Sequence, residues 1–190
     1  MKALLIAEKP DLMRKVQVAY RNNNFDDIID FESFHGHLLT LCDPQDYDKK
    51  YEKWNREDLP IIPEEFKYKI VDRDSVSRIK NKIKEGDYDY LINCCDPDRE
   101  GQHIFYSFYR TIKCKLPVKR MWHADLTEKE IMRALNSMED DINTPRLANL
   151  TEASFLRADL DWLIGMNASR LITLKRGSLS RIGSVVTPTL

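Results

Sequence analysis

The chain has 190 residues, a formal net charge of −1, and 42% hydrophobic and 32% charged residues. This near-neutral balance excludes a uniformly basic, histone-like DNA binder, although it allows local patches of either sign. No stretch approaches the ~18 apolar residues that a membrane span requires. The length and composition predict one domain and part of another, with a real core and no membrane partner.

Short apolar segments alternate with amphipathic segments along the first 140 residues. Residues 2–7 and 88–94 are typical of strands buried on both faces, and further strands are predicted at 28–34, 37–41, 67–71 and 117–122. Helices are predicted from Pro10, over 75–84, over 102–112 and over 125–138. This alternation predicts an α/β fold, a mostly parallel sheet with helices on both faces.

Two segments interrupt this alternation. Residues 42–68 have no clear period, and we expect a loop that packs on the domain; a surface that stacks nucleic-acid bases is the alternative. Residues 140–145 are a polar break before a nearly continuous predicted helix over 147–172. We therefore predict one domain over 1–145 and the start of a helical domain over 146–190.

Three acids follow the second buried strand at every second position: Asp96, Asp98 and Glu100. In an extended backbone this spacing points all three side chains one way, where carboxylates repel each other unless a cation lies among them. An oxygen-only cluster suits Mg²⁺. The alternative is an acidic helix start, with Asp98 as the N-cap and Glu100 interacting with the helix dipole. Gly101 would allow a close approach of backbone or ligand.

Glu8 and Lys9 stand at the end of the first buried strand, where Pro10 begins a helix. In open α/β sheets, ligands bind outside the carboxyl ends of the strands. Two such strand ends would bring Glu8 and Lys9 to the same edge as Asp96, Asp98 and Glu100, which we call the acidic turn. An exposed charged turn is the alternative for this pair in isolation.

Histidine and cysteine patterns give weaker signals. His35 and His37 have the spacing of a metal pair, but no ligand cluster lies nearby in the sequence, so we expect them to hydrogen-bond in a turn. None of the four cysteines shows paired C-x-x-C spacing, which argues against zinc. Cys94 and Cys95 are expected in the core, and a reducing, cytoplasmic setting fits them.

The last 29 residues, 162–190, contain no acid. They carry four basic residues interspersed with glycine and serine, a pattern that favours contact with phosphates: Arg170, Lys175, Arg176 and Arg181. A solvated helix end followed by a loop is the alternative.

Several of these motifs together resemble a known family. Asp96-Pro97-Asp98-Arg99-Glu100-Gly101, with Ala7-Glu8-Lys9-Pro10, resembles the Toprim signature of topoisomerases, bacterial primases and some nucleases. Further segments, in the same order, are similar to type IA topoisomerases of the topoisomerase III branch: Gly36-His37-Leu38, Trp54, Leu59-Pro60-Ile61-Ile62-Pro63, the run from Ala158 to Arg170, and Thr187-Pro188-Thr189-Leu190. The resemblance covers essentially the whole chain.

The resemblance implies roles for particular residues. Glu8 would be the acid/base near the scissile phosphodiester, and Lys9 a cation that stabilises the phosphate. Mg²⁺ would be held by Asp96, Asp98 and Glu100, with Glu8 nearby. DNA, chiefly single-stranded, would be the partner, cleaved through a tyrosine–phosphate intermediate and then resealed. Arg99 and Arg170 would face this DNA.

The sequence departs from the family pattern at three positions and lacks one expected element. Gln102 stands where the family usually has Glu, and Ser184 and Val186 replace an Arg and a Gln expected at the DNA. The family's nucleophilic tyrosine lies downstream of the closing motif, so we expect the N-terminal part of a larger enzyme, inactive alone; a natural short form is the alternative. Two other functions stay open: a free-standing Toprim nuclease or primase-like protein, and a non-catalytic DNA-binding module.

Overall fold

The computed structural model describes residues 1–183 and contains two compact units. Unit 1 consists of Met1–Thr40 and Ile70–Ser154, and unit 2 consists of Leu41–Lys69 and the residues from Phe155 onward. No helix in the described part of the chain is long and apolar enough to cross a membrane.

The elements follow the predicted alternation of strands and helices. The strands are β1 (Lys2–Ala7), β2 (Ile28–Ser33), β3 (Leu39–Leu41), β4 (Tyr68–Ile70), β5 (Tyr90–Cys94), β6 (Val118–Arg120) and β7 (Glu139–Asp140). The helices are α1 (Pro10–Asn22), α2 (Pro44–Tyr47), α3 (Arg73–Glu85), α4 (Arg99–Thr111), α5 (Glu128–Asn136) and α6 (Pro145–Arg176). Two 3-10 turns, Lys49–Glu52 and Arg56–Asp58, lie between α2 and β4.

Unit 1 is built on a five-stranded sheet in the order β2-β1-β5-β6-β7. The first four strands pair in parallel, and β7 pairs antiparallel with β6. The predicted mostly parallel α/β sheet is therefore confirmed. The sequence does not predict β7, because two polar residues carry no alternation. β3 and β4 form a separate two-stranded sheet.

Alternate residues of the central strands cover opposite faces of the sheet, as the strand period requires. Ala3, Leu5 and Ala7 join one buried cluster, to which α1 and α5 contribute apolar residues such as Val16 and Ala134. The opposite face is exemplified by Asn93 of β5, which contacts Gln102 of α4. Helices thus cover both faces, and the ends of the strands remain open for a site.

In unit 2, the segment before β4 packs against α6. The indole nitrogen of Trp162 donates to the carbonyl of Cys42, and its ring makes edge contacts with Tyr47 and Phe66. Asn167 exchanges hydrogen bonds with the backbone of Ile61. The aromatic side chains of this segment therefore pack, as expected, but against α6 in unit 2 and not on the domain predicted over 1–145.

The polar break at 140–145 lies within unit 1. The first turns of α6 belong to the same unit, because Leu147 is fully buried there and Thr151 hydrogen-bonds with Gln102. The compact units divide later, between Ser154 and Phe155. The assignment of separate domains over 1–145 and 146–190 stays a prediction.

Candidate active site at the carboxyl edge of the sheet

The ends of β1 and β5 bring Glu8 and Lys9 to the acidic turn. These strands are parallel neighbours, with Ala7 opposite Cys94, so the residues that follow them share one edge. The Lys9 ammonium lies 3.0 Å from Glu8 Oε1 and 3.2 Å from Asp96 Oδ2. The backbone N–H of Asp96 donates to Glu8 Oε2 over 3.3 Å. The structure thus joins two segments 88 residues apart, as the strand-end argument predicts.

The three side chains differ in their exposure. Glu8 is only 8% exposed, the Asp96 side chain is 41% exposed and the Lys9 side chain is 62% exposed. Its hydrogen bonds to Glu8 and then to Asp96 raise the pKa of Lys9 above its usual value. Lys9 therefore stays cationic at neutral pH and presents a fixed positive charge to solvent at the sheet edge.

Asp98 and Gly101 fix the turn between β5 and α4. Asp98 Oδ1 accepts a 2.8 Å hydrogen bond from the backbone N–H of Gly101, which makes Asp98 the N-cap of α4. A Cβ added to Gly101 would lie 2.2 Å from the carbonyl oxygen of Asp96, closer than any real contact. The predicted close approach at Gly101 is therefore confirmed, and the approaching group is backbone.

The expectation that three acids alternate along extended backbone is wrong for Glu100. Helix α4 begins at Arg99, so Glu100 follows the helical period instead of the strand period. Its side chain is 70% exposed, and its Oε1 lies 3.9 Å from His37 Nε2. Arg99 is also exposed, at the first position of the helix. His37 is thus a neighbour of the site that the sequence argument missed.

The carboxylates at this edge have the chemistry of a Mg²⁺ site, but three of them do not converge on one point in this structure. Carboxylate oxygens suit Mg²⁺, and the Lys9 ammonium already shows that a cation fits between Glu8 and Asp96. However, no group of three or more His, Cys, Asp or Glu side chains within residues 1–183 converges closely enough to hold a metal ion. The four-carboxylate metal site therefore stays a prediction.

A buried arginine lies directly beneath the acidic turn, and the sequence argument did not identify it. Arg120 has no exposed surface, and it donates to the carbonyls of Cys95 at 2.8 Å and Asp96 at 2.7 Å. It also donates to the backbone carbonyl of Asn93 at 2.9 Å. The signal in the sequence is a charged residue in a short strand next to buried Val118 and Met121.

The structure gives a reason for Gln102. Its amide is fully buried and donates to Asp141 Oδ1 at 2.6 Å and to Thr151 Oγ1 at 3.0 Å. A glutamate at this position would oppose the buried carboxylate of Asp141, and like charges that close disfavour each other. Glutamine at this position therefore gives the buried carboxylate of Asp141 an uncharged hydrogen-bond donor.

The predicted DNA contacts in unit 2 divide into buried and exposed residues. Arg170 is 3% exposed, donates to the carbonyl of Tyr51 at 2.8 Å and lies 5.0 Å from the Trp54 ring centre. The expectation that Arg170 faces DNA is therefore corrected, because its guanidinium packs inside the unit. The other three basic residues are exposed: Lys175, Arg176 and Arg181. Ser184, Val186 and the closing segment 187–190 lie outside the described residues.

The adjacent cysteines are core residues, as predicted. Cys94 and Cys95 are both free and fully buried. Burial raises the pKa of the Cys94 thiol to about 12 and also raises the pKa of Cys95. Neither thiol is therefore a nucleophile at neutral pH.

The Toprim domain family matches residues 3–126, and the chain belongs to this family. DNA topoisomerase 3 of Staphylococcus haemolyticus is 31% identical over 201 residues, and DNA topoisomerase 3 of Bacillus subtilis is 31% identical over 198 residues. Both alignments cover 100% of this chain but 27% of the relative, so the chain spans about a quarter of the length of these relatives. The resemblance to topoisomerase III is confirmed.

A solved structure shows the same fold. Full-length topoisomerase I from Thermotoga maritima matches 96% of this chain, with a TM-score of 0.61 and 19% sequence identity. The match covers 27% of that chain. At this identity the likeness establishes the shared architecture of strands and helices.

Proposed function

We propose that this chain supplies the acid–base and metal-binding part of a type IA DNA topoisomerase, an enzyme that cleaves, passes and reseals single DNA strands. The observation that carries the proposal is the junction of Glu8, Lys9 and Asp96 at adjacent strand ends. The DNA topoisomerase 3 relatives, which align with this chain over its whole length, support it.

The chemistry assigns a role to each residue. When a tyrosine hydroxyl outside this chain attacks the phosphodiester, its proton passes to water, a new tyrosyl P–O bond forms and the bond to the 3′-oxygen breaks. Glu8 donates a proton to the leaving 3′-oxygen and removes it again when the strand is resealed. Lys9 offsets negative charge on the phosphoryl oxygens, because its ammonium is already held beside Glu8 and exposed to solvent.

Mg²⁺ is the proposed cofactor. Asp96 and Asp98 would hold it with Glu100 and Glu8, and water and DNA phosphate would complete its oxygen ligands. When bound, the ion would offset charge on the phosphate. Because Asp98 caps α4 and Glu100 is exposed, we expect weak, millimolar-range binding without DNA, of the kind that depends on substrate phosphates.

Single-stranded DNA is the proposed partner. Lys175, Arg176 and Arg181 would contact its phosphates, since all three are exposed on a segment without acids. Arg99 would contact DNA near the acidic turn, at the first position of α4. Arg170 has a supporting role inside unit 2 instead, because its guanidinium is already bound to the Tyr51 carbonyl.

A non-catalytic DNA-binding module is the second candidate. The observation that favours it is that no three carboxylates converge within the described residues. In this case the Toprim fold would be retained for binding, without turnover, together with the segment that carries Lys175, Arg176 and Arg181, which we call the basic segment.

A denaturing-gel assay for protein-linked oligonucleotide separates the two candidates. The 190-residue chain should form no adduct and relax no supercoiled DNA, because none of its eight tyrosines has the family's sequence context. Fusion of this chain to the downstream part of a relative should give an adduct, and Glu8→Gln should reduce its rate by about 10²-fold or more with little change in DNA binding. An adduct from the 190-residue chain alone, or equal rates for Glu8→Gln, would refute the assignment.

A further inference from the structure

Beneath the acidic turn, four buried polar side chains form one connected set, which we call the buried clamp: Arg120, Asn93, Gln102 and Asp141. All four have relative exposures of 0% or 1%. They come from β6, β5, α4 and the residue after β7. The buried clamp therefore connects the strand before the acidic turn, the helix after it and two segments beyond it.

At one end of the buried clamp, Arg120 holds the backbone of the turn. Its guanidinium donates to the carbonyls of Asn93, Cys95, Asp96 and Met121, at distances from 2.7 to 3.3 Å. These carbonyls include the last two before Pro97, where the chain leaves the sheet. A single planar group thus fixes the path of the backbone that carries the Asp96 carboxylate.

At the other end, Asp141 orients two amides. Its Oδ1 accepts from Gln102 and its Oδ2 accepts from Asn93 at 3.0 Å. The Asn93 amide is thereby directed so that its oxygen accepts from Arg120 at 3.3 Å and from the backbone N–H of Cys95 at 3.2 Å. A continuous chain of hydrogen bonds therefore runs from Asp141 through Asn93 to Arg120 and the turn.

We propose that Arg120 is the positioning residue of the acidic turn and that Asp141 acts through Asn93 and Gln102 to hold Arg120 and α4 in place. Arg120 is not a catalytic residue, because its full burial keeps it from DNA and solvent. By holding the backbone of Asp96, Arg120 fixes the position of the Asp96 carboxylate. This carboxylate forms an ion pair with Lys9 and would be a ligand of Mg²⁺. The relevance to metal and phosphate chemistry rests on the proposed function, whereas the positioning of the turn does not.

The test is amide hydrogen exchange of the 190-residue chain with Arg120→Lys. Lysine keeps the charge but offers three donors on one nitrogen, which cannot reach all of these acceptors together. Exchange of residues 95–101 should accelerate about tenfold or more, while exchange of β1 stays at the wild-type rate. The control is Arg133→Lys, which changes an exposed arginine that donates to the Trp122 carbonyl and to Glu130 instead of the turn.

Two outcomes would overturn the proposal. One is unchanged exchange of residues 95–101 in a folded Arg120→Lys protein. The other is equal acceleration in β1, β5 and the turn, which would make Arg120 an ordinary core residue. If Arg120→Lys does not fold, Asp141→Asn should accelerate exchange of the turn and the start of α4, because asparagine replaces one acceptor oxygen with a donor. Asp140→Asn is its control, and wild-type exchange in Asp141→Asn would refute the clamp.

An Mg²⁺ titration of the same samples separates this inference from the proposed function. Arg120→Lys should weaken Mg²⁺ binding about tenfold, because the ligand Asp96 is less well positioned. If wild type binds no Mg²⁺, or binds it equally after Asp96→Ala and Asp98→Ala, the metal part of the proposed function fails. The exchange rates of residues 95–101 still decide whether Arg120 positions the turn.

Discussion

Asp96 and Asp98 of the acidic turn in unit 1 are held by neighbouring groups, whereas the charged side chains of the basic segment in unit 2 are exposed to solvent. At the acidic turn, Asp96 is paired with Lys9, Asp98 caps a helix, and the backbone is held by buried Arg120. In the basic segment, Lys175 and Arg176 are exposed and form no ion pair with any residue from 1 to 183.

The difference follows from what each region is proposed to do. Proton transfer and phosphate stabilisation depend on fixed atoms, since the benefit of a preorganised charge is lost when it must reorient. Binding of a DNA backbone depends mainly on the number of positive charges and needs no fixed geometry. The comparison therefore predicts that small changes of shape damage the acidic turn, whereas only changes of charge affect the basic segment.

Gly101→Ala should have the largest effect. The added Cβ would meet the Asp96 carbonyl, which is backbone and cannot rotate away, so we expect a loss of about 2 to 4 kcal/mol in the free energy of unfolding. Urea denaturation measures this loss. Gly183→Ala is the control, because its added Cβ would meet nothing within 4 Å. Equal stability of both variants would show that the turn is not constrained by shape.

Removal of charge from the basic segment should weaken binding to single-stranded DNA. Alanine at Lys175, Arg176 and Arg181 together should reduce the slope of log K against log[salt] by about 2, since each lost contact to a single strand removes ~0.7. Fluorescence anisotropy across a salt series measures this slope. The control makes the same charge change on exposed residues of α3: Arg73, Lys80 and Lys84. An unchanged slope would mean that DNA binds elsewhere.

Lys9→Ala should strengthen Mg²⁺ binding to the isolated chain. The Lys9 ammonium lies between Glu8 and Asp96, so its removal leaves two carboxylates without their cation. We expect a gain of about threefold to tenfold in affinity by calorimetric titration. Lys15→Ala, in the helix that follows Lys9, should leave the affinity unchanged. Weaker binding in Lys9→Ala would show that Lys9 does not compete with a cation.

The smallest expected effect is the contribution of Asp141 to the pH dependence of the free energy of unfolding. Burial raises the pKa of Asp141, so the folded state binds this proton more tightly than the unfolded state. The stability that this proton contributes is present at low pH and is lost as pH rises through the folded pKa. The free energy of unfolding of wild type, relative to Asp141→Asn, should therefore increase as pH falls from neutral into the acidic range. A constant difference in urea denaturation would contradict this sign.

The sequence predicts the parts of the fold and site that depend on local pattern. Apolar runs locate β1 and β5, and strand ends in a parallel sheet bring Glu8, Lys9 and Asp96 together. The sequence does not reveal which polar residues are buried, because partners such as Asn93 and Asp141 are 48 residues apart.

The same limit explains the errors at Arg170 and Glu100. For Arg170, the carbonyl that binds its guanidinium lies 119 residues away, so no local pattern indicates its burial. For Glu100, the strand period fails because the capping bond from Gly101 to Asp98 starts the helix at Arg99, three residues before its predicted start at Gln102. The two-residue period therefore predicts side-chain directions only where the backbone stays extended.

The position of β1 in the sheet has a consequence for the order of events during synthesis. β1 is translated before the other strands of its sheet, yet it lies between β2 and β5, and β5 begins at Tyr90. Its second neighbour therefore emerges from the ribosome only after more than 80 further residues, including the part of unit 2 from Leu41 to Lys69. Until then the apolar edge of β1 has no partner on that side, and unpaired edges of this kind favour aggregation. We expect nascent chains that end before Cys94 to need a chaperone.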